Sequence, residues 1–203
     1  MNTVKTTHDI KAAATGAAVH ELISTRFSPY AWTDQPVDEA TLQSLFEAAR
    51  WAPSAFNAQP ARYIVATREE PEQFERLLAV LVEGNQAWAK QVPVLALGVV
   101  AKTFEHNGKT NECARHDLGL ATANLVLEAT ARGLCVHQMA GIQPELAHET
   151  YGIPEGFEAV TGIAIGYADG TTDNERDRTP RSRRPLAESV FAGAWGDPAI
   201  FVE

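Results

Sequence analysis

Two short polar stretches, more than a hundred residues apart, contain the residues best suited to chemistry. The first, residues 52–60, holds Ser54, Asn57 and Gln59 between prolines. Because prolines restrict the backbone at both ends, such a loop presents its hydrogen-bonding side chains at fixed positions. The second, residues 181–185, reads Arg-Ser-Arg-Arg-Pro in an otherwise acidic chain. A compact guanidinium cluster of this kind is suited to holding a phosphate through paired hydrogen bonds.

The overall charge of the protein limits which phosphate-bearing molecules it can bind. The 203 residues carry a formal net charge of −9, which argues against nucleic acid or an anionic membrane surface as a partner. We therefore expect a small phosphate-bearing molecule that is held locally.

Two features of the composition concern the compartment of the protein. The cysteines, Cys113 and Cys135, form neither a disulfide framework nor a metal-binding spacing. This usage is typical of a reducing cytoplasm, and no metal is expected. No segment reaches the roughly 18 uninterrupted apolar residues of a membrane helix.

The chain is predicted to form one domain over residues 16–203. It is 45% hydrophobic, which is enough for one good core, and no Gly/Ser or Pro run divides it. Residues 1–15 lack the apolar centre of a secretory signal and are predicted to form a flexible tail.

The last segment, residues 170–203, loses helical and strand periodicity but keeps large apolar side chains to its end. We expect this extension to dock either on its own domain or on a partner subunit, and composition does not choose between the two. The apolar residues concerned are Leu186, Val190, Phe191, Trp195, Ile200 and Phe201.

Helix and strand patterns alternate through the middle of the chain. Apolar residues at helical spacing predict helices over residues 38–51, from Pro71 onward, and over residues 112–132. Short apolar runs predict strands over residues 62–66, 93–101, 134–138 and 159–167. By itself this alternation also fits a doubly wound parallel sheet.

Six short stretches, in the same order and with similar separations, resemble the nitroreductase family over about residues 20–195. The Gly-x-Gly-x-x-Gly dinucleotide fingerprint is absent. In chain order, the matched stretches are Arg26-Phe27-Ser28-Pro29; Ala52-Pro53-Ser54 with Asn57 and Gln59-Pro60; Gly84-Asn85; the helix after Asp117; Val136-His137-Gln138-Met139-Ala140-Gly141; and Arg181-Ser182-Arg183.

The resemblance implies an α+β fold, with a central, mainly antiparallel sheet flanked by helices. It also implies an intertwined homodimer with flavin mononucleotide (FMN) at the subunit interface. The implied activity is a ping-pong oxidoreductase in which NAD(P)H supplies electrons to nitroaromatic, quinone or activated-alkene acceptors. Two alternatives remain: a flavin-binding sensor or carrier without turnover, and a flavin-dependent dehalogenase-like or lyase-like relative.

The resemblance also implies which residues contact the flavin. Its phosphate would lie among three arginines and a serine, and its ring against the loop after Ala52 and the end of the strand near Val136. No catalytic side chain is implied, because the flavin carries the chemistry. The implied cofactor-binding residues are Arg26, Phe27, Ser28, Tyr30, Pro53, Ser54, Ala55, Asn57, Asn85, Gln138, Met139, Ala140, Gly141, Arg181 and Arg183.

Two positions depart from the family pattern. Many relatives have Arg or Lys where this chain has Tyr30, and an aromatic residue where it has Ala61. Tyr30 offers a hydroxyl but no charge, so more of the phosphate binding is expected to rest on the arginines near the C-terminus. Ala61 removes bulk and is expected to loosen local packing.

Overall fold

The computed structural model describes residues 5–171 and 174–202. Its centre is a four-stranded sheet in the order β1-β2-β4-β3. Every neighbouring pair is antiparallel. The α+β fold implied by the resemblance is therefore confirmed, and the parallel, doubly wound alternative is not what the chain adopts. The strands are β1, Ala61–Thr67; β2, Val94–Ala101; β3, Cys135–Met139; and β4, Phe157–Gly166.

Helices cover both faces of the sheet, which explains why β2 is apolar at nearly every position. Successive side chains of a strand point to opposite faces. Leu95 therefore packs with Phe74 and Leu77 on one face. Its neighbour Val94 packs with Leu45 and Leu125 on the other. Each face of the sheet thus has its own core cluster.

Local signals place the principal helices. The carboxylate of Asp38 accepts a hydrogen bond from Thr41 N at 2.8 Å and caps the N-terminus of α3. Pro71 opens α4, where its missing N–H has no helical partner to lose. The helices are α1, Thr7–Lys11; α2, Glu21–Thr25; α3, Glu39–Arg50; α4, Pro71–Ala79; α5, Glu83–Ala89; α6, Ala114–Ala131; α7, Pro144–Tyr151; and α8, Glu175–Arg178.

Helices α5 and α7 were not predicted, because each is only two turns long and neither carries an extended apolar stripe. Among the described residues, no helix has the length and apolar character needed to cross a membrane.

The predicted N-terminal tail differs in part from the structure, since α1 packs on the chain near its other end. Thr7 N donates to the carbonyl of Gly170 at 3.2 Å, and Lys11 Nζ donates to the carbonyl of Thr179 at 2.8 Å. These contacts use distant backbone carbonyls, which no local pattern reveals. Residues 1–4 of that tail lie outside the described residues.

The C-terminal extension contains α8 and two single 3₁₀ turns, Leu186–Glu188 and Ile200–Val202. Its large apolar side chains are mostly exposed: Trp195 is 93% exposed and Ile200 is 86% exposed. Where this extension docks stays a prediction.

Candidate functional site

The loop that begins at Arg26 runs beside β3. The Nδ1 atom of His137 in β3 lies 2.8 Å from the carbonyl oxygen of Pro29. The guanidinium of Arg26 donates to Ser28 Oγ at 3.2 Å. Arg26 and Ser28, the two residues of the first motif that are predicted to bind phosphate, are thus adjacent at this edge of the sheet.

Arg181 and Arg183 lie close enough to Arg26 for their charges to interact. Burial lowers the pKa of Arg26, and the nearby charge of Arg183 lowers it further. Burial, followed by Arg26 and Arg183, likewise lowers the pKa of Arg181. No carboxylate of the described residues forms an ion pair with any of these arginines. Mutually repelling cations without a counter-charge form a site that an anion would stabilise.

A cavity of about 710 Å³ opens beside this cluster. Its polar wall contains the same three arginines together with Arg184, which was not predicted to contact a ligand. Its apolar wall is formed by Val19, Ile23, Leu186 and Phe201. The volume is in the range of sites that bind small molecules and cofactors.

The residues predicted at the end of β3 lie on the same edge. The side-chain amide of Asn85 donates to the carbonyl of Gly141 at 2.9 Å, which links α5 to the chain just after β3. Gln138 and Ala140 are exposed.

Two predicted contact residues have side chains in the core instead. Phe27 is 1% exposed and Met139 is 4% exposed, and both belong to one apolar cluster. Their side chains are therefore unavailable to a ligand, and only their backbone can contribute. Burying a large apolar side chain stabilises the fold, so residues of this kind pack in the core rather than at a polar site.

The contact between α5 and Gly141 leaves no room for a side chain, which gives a first prediction. A Cβ at position 141 would lie 2.6 Å from Asn85 Nδ2 and 2.7 Å from Val82 Cγ2. Gly141→Ala is expected to lower the free energy of unfolding by about 1–3 kcal/mol through overpacking. Urea unfolding measures this. A matched control is Gly84→Ala in α5, where nothing lies within 4 Å and alanine is the better helix former, so stability should be unchanged or higher. Equal effects at both positions would contradict the assigned close approach.

The predicted loop at residues 53–57 has unusual backbone geometry. Phe56, Asn57 and Gln59 have φ of 54°, 53° and 47°, in the left-handed region that non-glycine residues seldom occupy. Ser54 Oγ accepts a hydrogen bond from Gln59 N at 3.0 Å. Residues held in such conformations cluster at ligand-binding sites.

A buried carboxylate on α6 also holds this loop. Asp117 is 3% exposed, and its Oδ2 accepts a hydrogen bond from Ala55 N at 3.0 Å. The contact fixes the loop against the start of the longest helix.

The sheet separates this loop from the arginine cluster. β1 and β3 are the two edge strands. The loop leads into Ala61, which pairs with Val100 at one end of β2, whereas Cys135 of β3 pairs with Gly166 at the opposite end of β4. Three strand spacings and about seven residues along a strand place these two strand ends roughly 27 Å apart, at diagonal corners. One chain therefore does not bring all the predicted contact residues together.

The structure shows what surrounds Tyr30 and Ala61, the two positions that depart from the family pattern. The ring of Tyr30 packs edge-on against His137 and Trp88, at centroid distances of 4.8 and 5.3 Å. The guanidinium of Arg176 lies 4.6 Å from the same ring, so a cation is supplied over it from α8. Ala61 lines a cavity of about 290 Å³ beneath the loop at residues 53–57, as expected for a position with little bulk.

Histidine 137 gives a second prediction, on pH dependence. Burial is the main cause that lowers the pKa of His137 from its ordinary value of about 6.5. The unfolded chain then takes up this proton first as pH falls through about 6.5, so the free energy of unfolding should decrease toward pH 5. His137→Asn should flatten that dependence, as measured by urea unfolding at several pH values. His106→Asn, on an exposed loop residue, is the control and should keep the parent's dependence. A parent-like slope in His137→Asn would contradict the assignment.

Comparison with known proteins identifies the family of this chain. The model of the nitroreductase family matches residues 23–167. The chain belongs to the nitroreductase family. A Streptomyces coelicolor relative, provisionally named NADH dehydrogenase/NAD(P)H nitroreductase, is 30% identical over 188 residues, covering 83% of this chain and 90% of its own. An uncharacterised Mycolicibacterium smegmatis protein is 35% identical over 132 residues, covering 63% of this chain and 87% of its own.

Two solved structures show the same fold. A crystal structure described as an oxidoreductase containing FMN has 31% identity and a TM-score of 0.82, covering 96% of this chain and 98% of its own. A Desulfovibrio desulfuricans structure, described as a nitroreductase in complex with FMN, has 26% identity and a TM-score of 0.67, covering 86% of this nitroreductase-family chain and 95% of its own.

Sequence reasoning missed two site residues of this nitroreductase-family chain, Asp117 and Asp177. Both are buried carboxylates that hold backbone N–H groups of the predicted contact loops. A single Asp in a polar stretch gives no local signal of burial, so only the fold reveals them. Within the described residues, no group of three or more His, Cys, Asp or Glu is arranged to hold a metal ion.

Proposed function

We propose that this protein is an FMN-dependent oxidoreductase that uses NAD(P)H to reduce nitroaromatic, quinone or activated-alkene acceptors by a ping-pong mechanism. Membership of the nitroreductase family supports an oxidoreductase. The similar structures that contain FMN support the cofactor. The provisional names of the relatives support NAD(P)H as the donor.

The observation that carries the proposal is the unpaired arginine cluster. A phosphate dianion would supply the negative charge that Arg26, Arg181 and Arg183 lack among the described residues, and Ser28 Oγ would add a hydrogen bond. The residues present therefore fit the phosphate end of FMN. The edge formed by Asn85 and the chain after β3 would lie beside its ring.

The ring contacts would come from both subunits of a homodimer. Within one chain, the loop at residues 53–57 lies at the corner of the sheet diagonal to the arginines. A two-fold partner would present its own loop to this cluster. Exposed apolar side chains support a large interface: besides Trp195 and Ile200, Trp51 is 72% exposed and Phe56 is 84% exposed.

In this proposal the protein's own side chains orient and enclose the reactants. Bound FMN would supply the chemistry by accepting a hydride equivalent and passing two electrons to an acceptor. The arginines would hold the phosphate of FMN, and the strained loop would contact the flavin ring of the FMN bound to the partner subunit. The apolar residues of the interface would exclude water. No side chain is assigned as a general acid or base.

The visible spectrum of the purified protein tests the proposal. We expect a yellow protein with about one FMN per chain, which loses its flavin absorbance on anaerobic addition of NADH or NADPH and regains it with a quinone. A colourless protein that does not take up added FMN would refute the cofactor. A yellow protein that neither nicotinamide reduces would favour a flavin-binding sensor or carrier.

A further inference from the structure

The proposed phosphate site is built from two segments that are distant in sequence, residues 26–31 and residues 176–183, and one buried carboxylate joins them. Asp177 in α8 is 0% exposed. Both of its oxygens lie 3.0 Å from Tyr30 N, and Oδ2 also accepts a hydrogen bond from Ala31 N at 2.8 Å. The carboxylate therefore fixes the backbone just after the first phosphate-binding motif.

Lys11 secures the other side of the same turn. Its ammonium donates to the carbonyl oxygens of Arg176 and Thr179, which flank Asp177. Arg181 in turn donates from Nε to the carbonyl of Lys11 at 2.5 Å, and from Nη2 to the carbonyl of Ser24 at 2.7 Å. These contacts tie the segment carrying Arg181 and Arg183 to the segment carrying Arg26.

A buried carboxylate of this kind is costly unless its hydrogen bonds are satisfied. Asp177 has backbone N–H donors on one side and lies near the charge of Lys11 on the other. Its position between the two arginine-bearing segments indicates a role in their spacing.

We propose that Asp177 is a positioning residue that sets the separation between Arg26 with Ser28 and Arg181 with Arg183, and so makes the site select phosphorylated FMN over riboflavin. This inference rests on the proposed FMN-dependent function. Asp177 acts through the loop it holds and does not touch the ligand.

A charge effect and a positioning role predict opposite changes in phosphate affinity for Asp177→Asn. Removing a negative charge from the segment that carries Arg181 and Arg183 would, by charge alone, make the surroundings of the site more positive and tighten phosphate binding. In Asn an NH2 donor replaces one oxygen and faces a backbone N–H of the loop, and the remaining oxygen accepts without a full charge. The loop would then be released and Arg26 and Ser28 misplaced, which weakens phosphate binding. The sign of the change therefore separates the two.

The experiment measures the dissociation constants of FMN and riboflavin for the dimeric parent and Asp177→Asn, by fluorescence titration at low and high salt. We expect the preference for FMN over riboflavin to fall about tenfold, with riboflavin affinity within about twofold of the parent. Unchanged or increased preference for FMN would overturn the inference, as would an equal loss for both flavins, which indicates a merely structural role. A parent that binds neither flavin would refute the proposed function instead.

Asp117→Asn is the matched control, since Asp117 is a second buried carboxylate that holds a predicted contact loop. In the proposed dimer its loop would lie against the flavin ring held by the partner subunit, so FMN and riboflavin should weaken equally and the preference should stay at the parent value. If Asp177→Asn does not fold, Lys11→Gln is measured in its place. A loss of preference that persists at high salt supports positioning, whereas a loss that salt abolishes is a charge effect and overturns the inference.

Discussion

Co-expression of two defective chains is expected to restore FMN binding at about half of the sites, because each site of the proposed two-fold dimer takes one loop from each subunit. One chain carries Arg26→Ala. The other carries Ser54→Ala with Asn57→Ala. In the mixed dimer, one site combines both defects, and the other combines an intact arginine cluster with an intact loop. Bound FMN per dimer, measured after purification through different tags on the two chains, gives the result.

The matched control places all three substitutions on one chain and co-expresses it with the parent. There each site keeps one defect, so FMN should be weakly bound at both. No recovery in the first mixture would show that each chain binds flavin by itself, in conflict with the diagonal separation of the two groups.

Arg26→Ala is expected to weaken FMN binding by about 2–3 kcal/mol, the range of a lost charge-assisted contact in a partly desolvated site. Arg183→Ala should have a smaller effect, about 1.5 kcal/mol, since Arg183 is exposed whereas Arg26 is half-buried. Fluorescence titration at two salt concentrations measures both, and the parent's affinity should fall as salt rises.

Arg68→Ala is the control for this series, because it removes the same charge just after β1, about three strand spacings or roughly 14 Å across the sheet from β3. It should leave FMN affinity close to that of the parent. Arg26→Lys keeps the charge but loses the planar fork, so an intermediate affinity is expected. An Arg26→Ala variant that binds FMN as tightly as the parent would show that Arg26 is not a phosphate ligand.

Much of the fold could be read from the sequence. The helix capped by Asp38 and the helix opened by Pro71 begin where local signals place them, because capping and proline geometry act within a few residues. The apolar run that forms β2 was also recognisable. The sheet topology was not recognisable, because pairing of β2 with β4 depends on contacts about sixty residues apart that leave no local pattern.

The candidate site could be read only in part. The arginine cluster and the loop after Ala52 stand out because their residue types are unusual in their surroundings. The sequence did not show that Phe27 faces the core, because a single aromatic residue between polar neighbours has no periodicity to orient it. Nor did it show the roles of Asp117 and Asp177, which depend on tertiary burial.

The contact between Asp177 and the loop at Tyr30 also bears on how the protein is made. The two residues are 147 positions apart, and Arg181 reaches Ser24 across 157 positions. Contacts of such separation close late in folding, because the entropy of the intervening chain opposes them until other structure has shortened the effective loop. On the ribosome, the arginine cluster cannot assemble until residue 183 has emerged. Cofactor loading should therefore follow the synthesis of α8 and residues 181–183, and truncated chains that end before α8 should accumulate without flavin.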